Sequence, residues 1–219
     1  MKNLYKALLT VVAFGFTSVA SAAIFDFGTI ANGNEYGAES ISFTDNGVTV
    51  TATGWAGLNP TGTTPDYFAY LDSGNAGLGV CQSLNGDQCA PSSDDNVTYT
   101  ETLRLVFDHE VSIDGIIFVN GDHNTDFAGN FILTVDGISD TYALTNDFAL
   151  PDLFGTVFEF YNPNSGGDSN VSNNQQFYIN ELTTGTRGLD EPPAVPIPAA
   201  VWLFGSGLLG LVAVARRKA

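Results

Sequence analysis

Lysine is missing from the whole interval between Lys6 and Lys218, and ahead of the terminal Arg216-Arg217 the only arginines are Arg104 and Arg187. All 24 acidic residues fall between Asp26 and Glu191, so two arginines against 24 carboxylates leave the middle of the chain at about −22. That balance excludes nucleic-acid binding, because phosphates are held by Lys and Arg, and it repels anionic lipid surfaces. Cysteine is nearly as scarce. Cys81 and Cys89 are the only two, and the two histidines, His109 and His123, lack the spacing that would complete a zinc site with them. The sequence also contains no G-x-S-x-G elbow, no H-E-x-x-H, no P-loop and no Gly-rich dinucleotide fingerprint. The expectation is a chain that is not an enzyme. Finally, no stretch of more than about 10 residues in the middle carries an amphipathic helical period, which excludes helical bundles and βαβ folds there.

What remains is a series of short alternating runs rich in Thr, Val, Ile, Phe and Tyr, separated by turn residues. Val97 to Phe107 reads as one strand, with Val97, Tyr99, Leu103, Leu105 and Phe107 on one face. Asp108-His109-Glu110 reads as the turn into a second strand, Val111 to Val119, in which Gly115 shifts the apolar parity and marks a bulge. Asp136-Gly137 between Phe131–Val135 and Ile138–Leu144 predicts a type I′ hairpin. Asp45-Asn46-Gly47 between Ile41–Phe43 and Val48–Thr53 predicts another, and 156–161 and 176–182 supply late strands. Residues 23–188 are long enough for one domain with a full core. The expected fold class is all-β, an antiparallel two-sheet β-sandwich of jelly-roll type.

The two ends read differently. Lys2 and Lys6, the apolar run Ala7 to Phe16 and the small residues Ala20-Ser21-Ala22 compose a secretory signal peptide over residues 1–22. Residues 189–198 form a Pro-rich linker, in which Pro196 and Pro198 delay any helix until Ala199. From Ala199 to Ala215 every residue is apolar, Gly or Ser. As a helix this run spans roughly 26 Å, close to the hydrocarbon thickness of a bilayer. Arg216, Arg217 and Lys218 then form a basic tail over 216–219, which the positive-inside rule places in the cytoplasm, with the acidic domain outside it.

Val195-Pro196-Ile197-Pro198-Ala199-Ala200, followed by the membrane segment holding Trp202-Leu203-Phe204-Gly205-Ser206-Gly207 and closed by Arg216-Arg217-Lys218, resembles the PEP-CTERM sorting signal in its V-P-[LI]-P-A-A variant. The namesake Pro-Glu-Pro is absent, Glu191-Pro192-Pro193 being its nearest fragment. The resemblance covers residues 192 to 219. It implies export by a Gram-negative, exopolysaccharide-producing bacterium, processing by an exosortase near the sorting motif Val195, Pro196, Ile197, Pro198 and Ala199, and delivery to the cell surface or extracellular matrix. Gly77 to Cys81, Asp94-Asp95 and Glu101 to Phe107 are similar to ectodomains of other tail-bearing proteins, without an assigned chemistry.

Three constellations in the middle are candidates for function. Export to an oxidising compartment predicts a Cys81–Cys89 disulfide. Asp122-His123-Asn124-Thr125-Asp126 alternates oxygen ligands as calcium loops do, although Phe127 and Leu133 stand where an EF-hand needs Gly and Glu. A calcium site built from Asp122, Asn124 and Asp126, joined by Asp94 or Asp95, competes with a polar loop that satisfies its own backbone. His109 and His123 are expected to be turn residues. Trp55, Tyr67 and Tyr70 flank the 57–66 segment, where exposed rings would stack on sugar faces of an exopolysaccharide and buried ones would cover the end of the core. The functional expectation is a structural or adhesive exported protein, then a carbohydrate-binding module, then a hydrolase or lyase using two carboxylates, or a carboxylate and a histidine, in one cleft.

Overall fold

A computed structural model describes residues 22–149, 153–164 and 172–185. The expected signal peptide (1–22) apart from Ala22, the expected Pro-rich linker and sorting motif (189–198), the expected membrane segment (199–215) and the basic tail (216–219) lie outside the described residues. Within them no helix is long and apolar enough to cross a membrane.

The described residues are almost entirely antiparallel β-structure. In order they form β1 (Ala23–Asp26), α1 (Phe27–Ala31), β2 (Tyr36–Ala38), β3 (Ile41–Asp45), β4 (Val48–Ala56), β5 (Phe68–Asp72), β6 (Gly77–Cys81), β7 (Leu84–Asn85) and β8 (Gln88–Cys89). There follow β9 (Glu101–Val119), β10 (Asn130–Val135), β11 (Ile138–Ala143), β12 (Asp147–Phe148), β13 (Phe154–Tyr161), a 3₁₀ turn (Asn173–Gln175) and β14 (Tyr178–Gly185).

Strand β9 organises the rest. Its first half pairs with β4 and β13, and β13 continues through β10 to the edge strand β11. Its second half pairs with β14 and β12, and β14 continues through β6 and β5 to β2, with β1 also on β14. The turn expected at Asp108-His109-Glu110 is therefore not there: the chain runs straight through it. A tight hairpin needs residues that tolerate positive φ. Asn46 (47°) with Gly47 (84°), and Asp136 (46°) with Gly137 (87°), supply them at the two hairpins that do form, whereas 108–110 supply none. Instead the three polar side chains stay exposed where the β13 register jumps, Gly155 facing Val111 but Val157 facing Val106. Asp136 fills the gap, accepting from the backbone N–H of Val157 at 2.9 Å and of Thr156 at 3.2 Å.

The inward face of β9 is odd-numbered through Leu103, Leu105, Phe107, Val111 and Ile113, then even-numbered at Ile116 and Phe118. The switch is a bulge at Asp114, opposite the Thr183/Thr184 step and next to the glycine that announced it. Val97 is buried as expected, but Tyr99 is exposed, because Thr100 at φ 65° ends the extended run before β9 begins. Phenylalanine dominates the core. Phe118 packs at 5.2 Å from Phe131 and 5.3 Å from Phe177, and Phe107 at 5.6 Å from Phe158, mostly edge to face.

The Cys81–Cys89 disulfide is present and closes the small loop that carries the β7–β8 hairpin. Replacing both cysteines with alanine is expected to cost about 2.5 kcal/mol on the loop-entropy account. Denaturant unfolding checks this: a midpoint that does not move would mean that the hairpin holds the loop closed unaided.

Candidate functional site

The aromatic cluster does not form an exposed strip. Trp55 is 3% exposed and Tyr70 is 1% exposed, with only Tyr67 half-buried. The 57–66 segment folds down over the outer face of β4 and β9, pinned by Thr102 Oγ1 donating to the Gly57 carbonyl (2.6 Å) and Thr134 Oγ1 donating to Asn59 Oδ1 (2.8 Å). Beneath it the Arg104 guanidinium lies 4.4 Å from the Trp55 ring centre and donates to the Pro60 carbonyl, and Trp55 Nε1 donates to Thr53 Oγ1 at 2.7 Å. Trp55 and Tyr70 have no free ring face for a sugar.

In the Asp122–Asp126 loop, Asn120 is the organiser. Its Oδ1 accepts from the backbone N–H of Asp122 (2.9 Å) and Asn124 (3.1 Å), and its Nδ2 donates to Asn124 Oδ1 (2.6 Å) and the Asp126 carbonyl (2.7 Å). Asn124 Oδ1 also accepts from Asp126 N–H at 3.1 Å, so both its lone pairs serve the loop. Asp122 accepts from Asn173 Nδ2 at 2.6 Å, tying the loop to the 3₁₀ turn. This arrangement is that of a polar loop closed on itself. His109 lies within β9 rather than in a turn, its Nδ1 2.6 Å from Asp108 Oδ1 with both groups exposed. Among the described residues, Cys81, Cys89 and Asp94 are the one set of three His, Cys, Asp or Glu ligand atoms lying within 4.8 Å of one another, and the disulfide occupies both sulfurs.

The loop does deliver one residue to a shared place. His123, held at φ 58°, puts Nε2 at 2.9 Å from Asp72 Oδ2 at the end of β5, and its ring stands edge-on to Tyr178 at 5.4 Å. Tyr178 Oη donates in turn to Asp95 Oδ1. These groups line a polar cavity of about 350 Å³, together with Glu35, Asn96, Gln176 and the exposed Ser92 and Ser93. Glu35 accepts from Tyr70 Oη and Ser73 Oγ, both at 2.7 Å, so Tyr70 positions a cavity carboxylate from behind. Asn96 is buried and donates to Gln176 Oε1 at 2.9 Å, while its own Oδ1 has no hydrogen-bond partner. Gly79 on β6 sets the depth of this wall: a Cβ there would collide with the Asp95 carbonyl oxygen, so only glycine lets the 95–96 backbone approach so closely.

The electrostatics follow from burial. Asp72 and Asp95 are 6% and 9% exposed. Burial pushes Asp95 up to about 6, with the neighbouring Asp72 charge adding to it and the Tyr178 hydrogen bond opposing it. Burial also raises Asp72, and His123 beside it pulls the other way. The Tyr178 phenol is driven far above its ordinary value by burial and by the Asp95 and Asp72 charges, so it stays a hydrogen-bond donor. Of these residues the sequence singled out His123 and Asp95; Glu35, Asp72, Asn96 and Tyr178 come from separate segments with no local motif to join them. No family model, curated protein or solved structure matches the chain.

Proposed function

We propose that the protein is exported, is held for a time by a C-terminal membrane helix (199–215), is released by an exosortase acting near Val195–Ala199, and serves a structural or adhesive role at the cell surface or in the exopolysaccharide matrix. The observation that carries this reading is the contrast along the chain. An antiparallel β-domain, whose only Lys or Arg among the described residues is Arg104, stands between a leader-like N-terminus and an apolar segment stopped by Arg216, Arg217 and Lys218. A strongly anionic surface keeps such a domain soluble and repels nucleic acid and anionic lipid, which suits a hydrated polysaccharide surrounding. The disulfide fits an oxidising compartment.

The fold proposed for this domain is a two-sheet sandwich of jelly-roll type, with β9 shared between the sheets. One sheet is β3-β4-β9-β13-β10-β11; the other gathers β12, β14, β1, β6, β5 and β2 around the second half of β9. The phenylalanines pack between them. Support comes from the split in β9 partners and the parity switch at Asp114.

The test is to express the full chain with an exosortase in a Gram-negative host and to measure the intact mass of the released protein. The expected product begins near Ala23 and ends near the Val195–Ala199 motif. A chain that stays in the cytoplasm, or is recovered outside it with residues 199–219 intact, overturns the sorting reading.

A further inference from the structure

We propose that the cavity bounded by Glu35, Asp72, Asp95, Asn96, His123 and Tyr178 binds one uncharged saccharide residue through its hydroxyl groups. The site rests on the cavity alone; that the sugar belongs to an exopolysaccharide rests on the reading of the preceding subsection.

Size decides first. About 350 Å³ lies at the small end of the range for organic ligands, and it is many times what a single ion fills. The spacing agrees: the cavity carboxylates and His123 do not bring three ligand atoms within 4.8 Å of one another, as one cation would require. Acceptors spread round a space of this size instead suit a ligand that carries donors at several corners.

Chemistry decides next. Three carboxylates give the lining its acceptors, set among hydroxyl and amide side chains. Asn96, a residue of the cavity wall, keeps a covered Oδ1 with nothing donating to it, a cost that a ligand O–H relieves once the Asn96 side chain turns toward the cavity. Sugar hydroxyls donate to such acceptors and accept in return from side chains such as Ser92 and Ser93. A uronate or a phosphate would meet three like charges in a confined space and be rejected. An apolar ligand would strip water from the remaining lone pairs of these carboxylates and give no donor in return.

The experiment uses the full-length protein in mild detergent. Methyl glycosides of glucose, galactose and mannose, with methyl glucuronoside as the anionic counterpart, are each offered at about 10 mM, suited to weak affinities, and read by saturation-transfer-difference NMR. Saturation is expected to reach at least one neutral glycoside and not the glucuronoside. Ser93→Trp, at an exposed position lining the cavity, is expected to abolish transfer without lowering the melting temperature. Asp72→Asn is expected to weaken binding at least about tenfold through loss of a charge-assisted hydrogen bond; should it not fold, Ser93→Trp alone carries the test. The proposal is overturned if none of the neutral glycosides receives saturation, if transfer survives Ser93→Trp, or if the glucuronoside alone binds. Export and tail removal with no sugar binding would end this proposal and leave the sorting reading standing; sugar binding by a chain that never leaves the cytoplasm would do the reverse.

Discussion

Replacing Arg104 with alanine is expected to lower the unfolding free energy by about 3–5 kcal/mol, the range for stripping one partner from a buried ion pair. Arg104 on β9 and Glu159 on β13 are register partners, with Nε donating to Glu159 Oε1 at 2.7 Å and the nearer terminal nitrogen 2.6 Å from the same oxygen. The side chains are 17% and 9% exposed, so water screens the pair little. The same guanidinium covers the Trp55 ring and holds the Pro60 carbonyl, which fastens the 57–66 segment to the sheet. Truncation therefore leaves a buried carboxylate without a counter-ion in a domain with no other Lys or Arg among the described residues, and it loosens the cover over Trp55. Lysine cannot replace the fork that makes these contacts together, so Arg104→Lys is expected to recover less than half of the loss. Urea unfolding of both variants reads these costs. A cost below about 1 kcal/mol for Arg104→Ala, or full recovery by Arg104→Lys, would show that the Arg104 fork is not what stabilises this face.

Local patterns carried the strand content and failed at long range. Asn46-Gly47 and Asp136-Gly137 dictate their hairpins because positive φ is a local demand that few residues meet. Gly115 announced the Asp114 bulge in another local way, by breaking the apolar alternation of its strand. Asp108-His109-Glu110 misled because polarity alone does not reverse a chain; the decisive partner, Asp136, sits nearly thirty residues away. Trp55 was ambiguous in sequence because its cover is a loop that follows it, fastened by Thr102, Arg104 and Thr134 from other strands. The cavity was still less visible. Its wall is assembled from the α1–β2 connection, the end of β5, the 92–96 segment beside Gly79, the loop after β9 and the start of β14. No spacing rule connects residues 35, 72, 95, 123 and 178, and burial, which turns an ordinary Asp into a perturbed one, is a property of the assembled fold.

A wild-type domain that grows less stable by a few kcal/mol as pH rises from 4.5 to about 8, and a Glu101→Gln variant that loses most of this slope, is the second expected result. Glu101 opens β9 with no exposed surface. Its Oε1 accepts from Gln82 Nε2 and its Oε2 from Thr98 N–H, each at 2.9 Å, yet burial outweighs both bonds and pushes the carboxyl up to about 8 from its ordinary 4.5. A carboxyl held protonated in the folded state but ionised in the unfolded one makes folding bind a proton across that window. The burial penalty is therefore absent below about 4.5, accumulates through neutral pH and is complete above about 8. Burial raises Asp94, Asp95 and Asp72 as well, so the whole curve tilts toward mild acid, and only the difference between variant and wild type isolates Glu101. Glutamine keeps the shape and never ionises, and Gln82 can turn its amide to accept from the new N–H. Every tenfold change in proton affinity between the folded and unfolded chain is worth about 1.4 kcal/mol, so at pH 9 the variant should be the more stable protein by about 2–4 kcal/mol, after allowing for an imperfect amide pairing, and at pH 4, where only that pairing cost remains, it should be the less stable by about 1–3 kcal/mol. Melting temperatures measured across pH 4 to 9 decide it: parallel curves would mean that Glu101 ionises in the folded protein as freely as in the unfolded one, through water that reaches the space between Gln82 and Thr98.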